Sequence, residues 1–235
     1  MTQPLLAGIR AIVFDAVGTL LEPDPSPADV YSAIGGRHGS KLLQSFVSSA
    51  FREAFDFQER HDRALNLATN EARELERWRT IVGSVLHDVA DKETCFQELW
   101  RHFALPANWK WTPGASELLL GLRRRDLKLA IASNFDGRLR TVLNGFPESR
   151  HLHEVIISSE VGWRKPAQAF FAEVARRLAC RPDEILFVGD HIGNDYEGAR
   201  QAGMQAVLFD PARKRAATSL RRIEGLSDLL AVRKA

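Results

Sequence analysis

Cysteine is scarce: the 235 residues contain only Cys95 and Cys180. Two cysteines suggest no disulfide framework, and a reducing compartment, the cytoplasm, is expected. Long apolar runs are missing too. No stretch approaches the roughly 20 residues that a bilayer-spanning helix needs. Met1–Gly8 lacks the basic start of a signal peptide, so none is expected and no membrane partner is implied. An excess of one charge sign is also absent. The formal net charge is +2, which implies no polyanion such as nucleic acid as a partner. Basic residues do gather at Arg213, Lys214, Arg215, Arg221 and Arg222, where a solvated helix face is the expected explanation. No repeats occur, and the only biased tract is a short proline-rich one.

What is present suits a globular protein: 45% hydrophobic and 26% charged residues. The length allows one large domain or two unequal ones. An apolar strand is expected over residues 10–15, ending on Asp15 and followed by the turn residues Gly18 and Thr19. Next comes Glu22-Pro23-Asp24-Pro25-Ser26-Pro27, too rich in turn residues for a helix or a central strand. From Asp29 to Phe103 apolar residues recur at helical spacing, as in Leu43, Phe46, Val47, Ala50 and Ala54, and again in Trp78, Ile81, Val82, Val85 and Leu86. A second hinge-like stretch, Trp109–Gly114, closes this helical insert. Helices are then expected at 114–125, 137–145, 166–179 and 194–202. Strands are expected at 127–132, 155–157, 185–188 and 206–209. Pro166 is placed at the start of its helix, where a missing N–H costs nothing. Alternating elements imply a doubly wound parallel sheet, an α/β core.

Four segments then converge, because ligands of open parallel sheets bind at the carboxyl ends of strands. They are Asp15; Ser133-Asn134 after the strand LKLAIA; Lys165 in GWRKP; and Gly189-Asp190 after ILFV, with Asn194-Asp195 beyond. Each type has a place in phosphoryl transfer. A carboxylate can attack phosphorus, a hydroxyl and backbone N–H groups can hold phosphate oxygens, and a lysine can neutralise charge. Further carboxylates suit Mg²⁺. Each alone has a plain reading as a turn, a cap or an exposed charge, and only the joint pattern is specific.

The segments FDAVGTL, IASNFDGRL, SSEVGWRKPAQAFF and VGDHIGNDYEGARQAGM, in this order, resemble the haloacid dehalogenase-like hydrolase superfamily, in the subfamily with a helical cap. The resemblance implies a Rossmann-like core over residues 1–22 and 112–235 and an inserted all-helical cap over 23–111. It implies Asp15 as nucleophile, Lys165 as the charge-stabilising lysine, and Ser133, Asn134, Gly18 and Thr19 around the transferring phosphoryl group. Mg²⁺ would be held by Asp15, Asp190 and the backbone carbonyl of Val17, with Asp195 in support. The activity implied is that of a phosphatase for a small phosphorylated metabolite, in a monomer or homodimer.

Val17 departs from the pattern. Family phosphatases usually carry there an aspartate that protonates the leaving oxygen, a service worth about 10²–10⁴-fold. Substrates with good leaving groups, such as acyl or aryl phosphates, would need it less. His191 or a cap residue could replace it, though a hydrogen-bonded turn histidine is the plainer reading of His191. Three alternatives follow: a 2-haloacid dehalogenase, a phosphonatase-like enzyme using a cap lysine (Lys41 or Lys92), and a non-catalytic binding protein. His151 and His153 read as loop histidines. Cap aromatics such as Phe51, Phe55, Phe57, Trp78, Phe96 and Trp100 read mainly as cap core, with one or two facing the cleft.

Overall fold

The computed structural model describes residues 6–213 and 220–231. Its centre is β1 (Ala11–Phe14), whose four residues are all buried. It lies between β4 (Lys128–Ser133) and β6 (Ile185–Gly189). Outside these lie β5 (Glu154–Ile157) on one side, and β7 (Gln205–Phe209) and the short β8 (Arg222–Ile223) on the other. The order is β5-β4-β1-β6-β7-β8, and every pairing is parallel.

Side-chain alternation makes the sheet two-sided. Ile12, Phe14, Leu129, Ile131, Leu186 and Val188 face one apolar layer. Ala11, Val13, Ala130, Ala132, Ile185 and Phe187 face the other. A parallel sheet covered on both faces needs such near-continuous apolar strands. The first layer is closed by α5 (Ala115–Leu122) and α6 (Arg138–Leu143). The second is closed by α8 (Gln168–Leu178) and α9 (Gly198–Gln201).

The insert consists of α1 (Pro27–Arg37), α2 (Gln44–Ala64), α3 (Glu71–Val85) and α4 (Lys92–His102). Three of them start as the sequence chemistry directs. Ser26, Asn70 and Asp91 each cap with a side-chain oxygen that accepts a backbone N–H of the first turn. They enclose a separate apolar cluster that includes Tyr31, Val47, Ile81, Val85, Phe96 and Leu99.

The structure differs from expectation in five places. The two hinges pair with each other: β2 (Leu21–Pro23) and β3 (Trp109–Trp111) form an antiparallel ribbon. A two-stranded ribbon tolerates Pro23, which a central strand would not. Leu43 and Phe46 stand 75% and 45% exposed, because α2 turns Val47 rather than these side chains into the insert core. Pro166 lies outside its helix, which begins at Gln168. The reason is that the backbone of Lys165 is gripped on both sides by Asn134, whose Oδ1 accepts from Lys165 N (2.7 Å) and whose Nδ2 donates to Lys165 O (3.0 Å). The helix expected at 194–202 is a π-helical turn, Ile192–Glu197, running into α9; such turns favour functional sites. Finally, of the C-terminal basic residues, Arg213, Arg221 and Arg222 lie on no helix. Arg213 pairs with Glu224 and Arg222 opens β8, while Lys214 and Arg215 lie outside the described residues. Two further short α-helices among the described residues are α7 (Ser158–Val161) and α10 (Asp228–Ala231). No helix among the described residues is long and apolar enough to cross a membrane.

Candidate active site

The carboxyl ends of β1, β4 and β6 deliver the expected residues to one point. Asp15 N still bonds Val188 O (2.9 Å), so strand pairing carries through to the acid. Asp15 Oδ1 accepts from Ser133 Oγ (3.1 Å) at the end of β4 and from Lys165 Nζ (2.6 Å). The Lys165 ammonium uses all three donors: Asp15 Oδ1, Asp195 Oδ1 (2.6 Å) and Ala132 O (3.0 Å). Burial alone would lower Lys165, but the two carboxylates outweigh it and hold the amine protonated. Burial raises the Asp15 carboxyl, against the pull of Lys165.

Asp195 is fully committed. Its Oδ1 takes Lys165, and its Oδ2 accepts from His191 N (3.0 Å). Asp190 has no such anchor. Burial and the neighbouring Asp15 and Asp195 push it up to about 7. Carboxylate oxygens of Asp15, Asp190 and Asp195 lie within 4.8 Å of one another. Three acids face one ammonium, an excess of negative charge that a hard, oxygen-seeking divalent cation would offset. The packing is built around them. A Cβ on Gly18, whose φ is +88°, would come within 2.7 Å of Asp190 Oδ2, and one on Gly189 within 2.3 Å of Asp195. The Val17 carbonyl accepts none of the described hydrogen bonds, leaving its oxygen free for a ligand.

Other expected residues are placed differently. Thr19 is wholly buried, and the N–H groups of Gly18 and Thr19 are spent inside the turn on Leu21 O and Ala16 O. Neither residue lines the cavity described next, though Thr19 Oγ1 is buried without a hydrogen-bond partner. His191 caps the π-helical turn: its Nδ1 accepts from Asn194 N (3.0 Å). To act as an acid it would need protons on both nitrogens and so break that cap. His151 and His153 belong to a different cavity, and His153 Nδ1 accepts from Leu129 N. Lys41 and Lys92 are exposed and do not line the active cavity.

That cavity, of about 430 Å³, runs from Asp15, Val17, Ser133 and Asp190 to the insert. Its far wall is aromatic. Phe51, Phe55 and Trp78 reach it, as the sequence allowed, whereas Phe96 stays in the insert core and Phe57 is exposed. Sequence reasoning missed Tyr31, Phe103, Trp109 and Phe135 on the same wall.

It also missed a buried ionic lattice. Arg164, next to Lys165, pairs with Glu74, with Glu59 (3.2 Å) and with Asp62 (3.5 Å) of the insert. Arg77 joins Asp62 and Glu59, both at 2.9 Å. The main chain reinforces the link: Arg164 N bonds Leu67 O (2.8 Å) and Thr69 N bonds Gly162 O (3.0 Å). The insert is thus fastened to the lysine-bearing loop itself. Replacing Arg164 with Met leaves three buried or half-buried acids short of a partner. It should lower stability by about 3–5 kcal/mol, read by urea unfolding. A loss under 1 kcal/mol would show that the lattice is not what joins the two parts.

Comparisons with known proteins place the chain in a family and a fold. The chain is 28% identical over 233 residues to haloacid dehalogenase-like hydrolase domain-containing protein 3 of Bos taurus, covering 94% of this chain and 92% of that one. It is 27% identical over 201 residues to the glyceraldehyde 3-phosphate phosphatase of Methanopyrus kandleri, covering 85% and 83%. In fold it is similar to a dehalogenase solved with an intermediate complex (TM-score 0.75, 19% identity, 97% and 99% covered). It is equally similar to the putative HAD-hydrolase YfnB of Bacillus subtilis bound to magnesium (TM-score 0.75, 19% identity, 95% and 98% covered). The sequence pattern of the haloacid dehalogenase-like hydrolases matches residues 9–203, and the chain belongs to that family.

Proposed function

We propose that this hydrolase is a Mg²⁺-dependent phosphatase of a small phosphorylated metabolite, working through an aspartyl-phosphate on Asp15. The observation that carries the reading is the acid cluster: Asp15, Asp190 and Asp195 gather around one lysine. A carbon-attacking nucleophile needs no such excess of carboxylate, whereas a phosphoryl dianion needs cations to approach an aspartate at all. The resemblance to a phosphatase of a three-carbon phosphate supports the same choice.

Asp15 and Asp190, with the Val17 carbonyl, would hold the metal; bound there, Mg²⁺ supplies positive charge to the phosphoryl oxygens. Lys165 screens the nucleophile and the charge that builds on phosphate. Asp195 positions Lys165. Ser133 Oγ orients Asp15 and can turn to a phosphoryl oxygen, beside the Asn134 backbone. The helices over residues 23–111 act as a cap that closes the cavity from water, on a core of residues 1–22 and 112–235.

Two measurements test this. Mg²⁺ should raise the melting temperature of the wild type by several degrees, and that of Asp190→Asn by far less. Phosphate release should stop in excess chelator. Halide release from a 2-haloacid in chelator, with no phosphatase activity in Mg²⁺, would reverse the assignment.

A further inference from the structure

The polar groups of the cavity wall are mostly spent on each other. Arg77 is held by Asp62 and Glu59, Arg164 by Glu74 and Glu59, and Arg138 by both oxygens of Asp136 (2.8 and 2.7 Å). Arg138 also lies 3.3 Å over the Trp100 ring, and Arg77 4.6 Å over Phe55. What remains free of described partners is the Tyr31 hydroxyl, Asn194 Oδ1, His191 Nε2 and Asp56, an exposed carboxylate on α2. A polyol chain must find its partners among these few groups, since each hydroxyl buried unpaired carries a penalty. The surface offered instead is ring: Tyr31, Phe51, Phe55, Trp78, Phe103 and Trp109.

A second observation concerns the leaving oxygen. Val17, an aliphatic side chain packed on the core, lines the cavity together with Asp15. Lys165 has no free proton to lend, as all its donors are engaged. His191 is tied as a cap. None of Val17, Lys165 and His191 therefore gives the oxygen that departs from phosphorus a proton. A phenol, ionising near 10 as tyrosine does, tolerates this; an aliphatic alkoxide is a far stronger base and does not.

We propose that the physiological ester is an aryl phosphate, a monoester whose leaving oxygen is phenolic and whose ring stacks in the aromatic wall. This rests on the phosphatase reading. A lone pair of an Asp15 carboxylate oxygen forms the new bond to phosphorus as the bond from phosphorus to the phenolic oxygen breaks. The phenolate leaves with that electron pair and takes its proton from solvent. Water then adds to the phosphorus of the aspartyl-phosphate, the bond to the Asp15 oxygen breaks, and its electrons return to the carboxylate. The water's proton passes to the released phosphate or to solvent.

The test compares phenyl phosphate, benzyl phosphate and glycerol phosphate in Mg²⁺, using wild type, Val17→Asp and Asp15→Asn. Benzyl phosphate keeps the ring but leaves as an alkoxide. Wild type should favour phenyl over benzyl phosphate by at least about 10²-fold in kcat/KM. Val17→Asp should raise the benzyl rate about 10²-fold and so narrow the gap between the two esters. Trp78→Leu should raise KM for phenyl phosphate more than it lowers kcat. A reading that needs no variant is inhibition: benzylphosphonate should compete at lower concentration than 3-hydroxypropylphosphonate. Equal inhibition by the two, or glycerol phosphate turned over as well as phenyl phosphate, overturns the aryl assignment while the phosphatase stands. No Asp15-dependent release from any ester overturns both.

Discussion

Asp15→Asn should abolish phosphate release, by about 10⁵-fold or more, the scale of losing a covalent nucleophile. The amide keeps the size of the acid but has no anionic oxygen to attack phosphorus. Its carbonyl oxygen can still accept from Ser133 and Lys165, as Asp15 Oδ1 does. The fold should survive. Lys165 retains Asp195 and Ala132 O as acceptors, and one of three crowded carboxylates is gone. The measurement is phosphate release together with acid-quenched trapping of phosphate on the protein. Wild type should yield a trapped phosphoprotein and the variant none. A variant that is stable, binds Mg²⁺ and still turns over would remove Asp15 from the chemistry.

Lys165→Met should damage both activity and stability. Removing the ammonium leaves Asp15 and Asp195 unpaired at a buried point, with Asp190 close by. Breaking a buried pair from one side costs about 3–5 kcal/mol. Activity should fall at least about 10²–10³-fold, as for other preorganised electrostatic groups. The two losses should separate in Mg²⁺. The cation supplies charge to the same acids, so it should stabilise the variant more than the wild type. It should not restore the rate, because Lys165 alone contacts Asp15 and Asp195 together. Urea unfolding in chelator and in Mg²⁺, beside initial rates, checks this. Equal stability of the two proteins in chelator would mean that the three acids are not all ionised around Lys165.

The residues of the reacting centre were legible because each follows a strand that ends in turn chemistry. Asp15, Ser133 and Asp190 sit at the carboxyl ends of apolar runs, and Lys165 precedes a proline. The sheet was legible for the same reason, since its strands are apolar on both faces. Arg164 and its partners were not. Glu59, Asp62, Glu74 and Arg77 look like the charged side of ordinary surface helices, and only the approach of a distant loop buries them. Leu43 and Phe46 misled in the opposite sense, because helical spacing marks a face without saying that anything covers it. Thr19 stands four residues after the nucleophile, and the sequence does not show that the turn folds it inward. The ribbon of β2 and β3 escaped notice because three-residue strands leave too short a pattern to see.

The topology of β1 sets the order in which the chain becomes safe during synthesis. This all-apolar strand leaves the ribosome before the other strands of its sheet, and its neighbours arrive only when Lys128 and then Ile185 have been made. Between them the four helices of the insert can collapse on their own cluster, using contacts local to the segment. For most of translation, then, the nascent protein holds a folded helical unit beside an AIVF segment with both edges open, a ready template for pairing between chains. A ribosome stalled before residue 128 presents two open edges and one stalled before 185 presents one, so the hazard of an interrupted chain lies in β1.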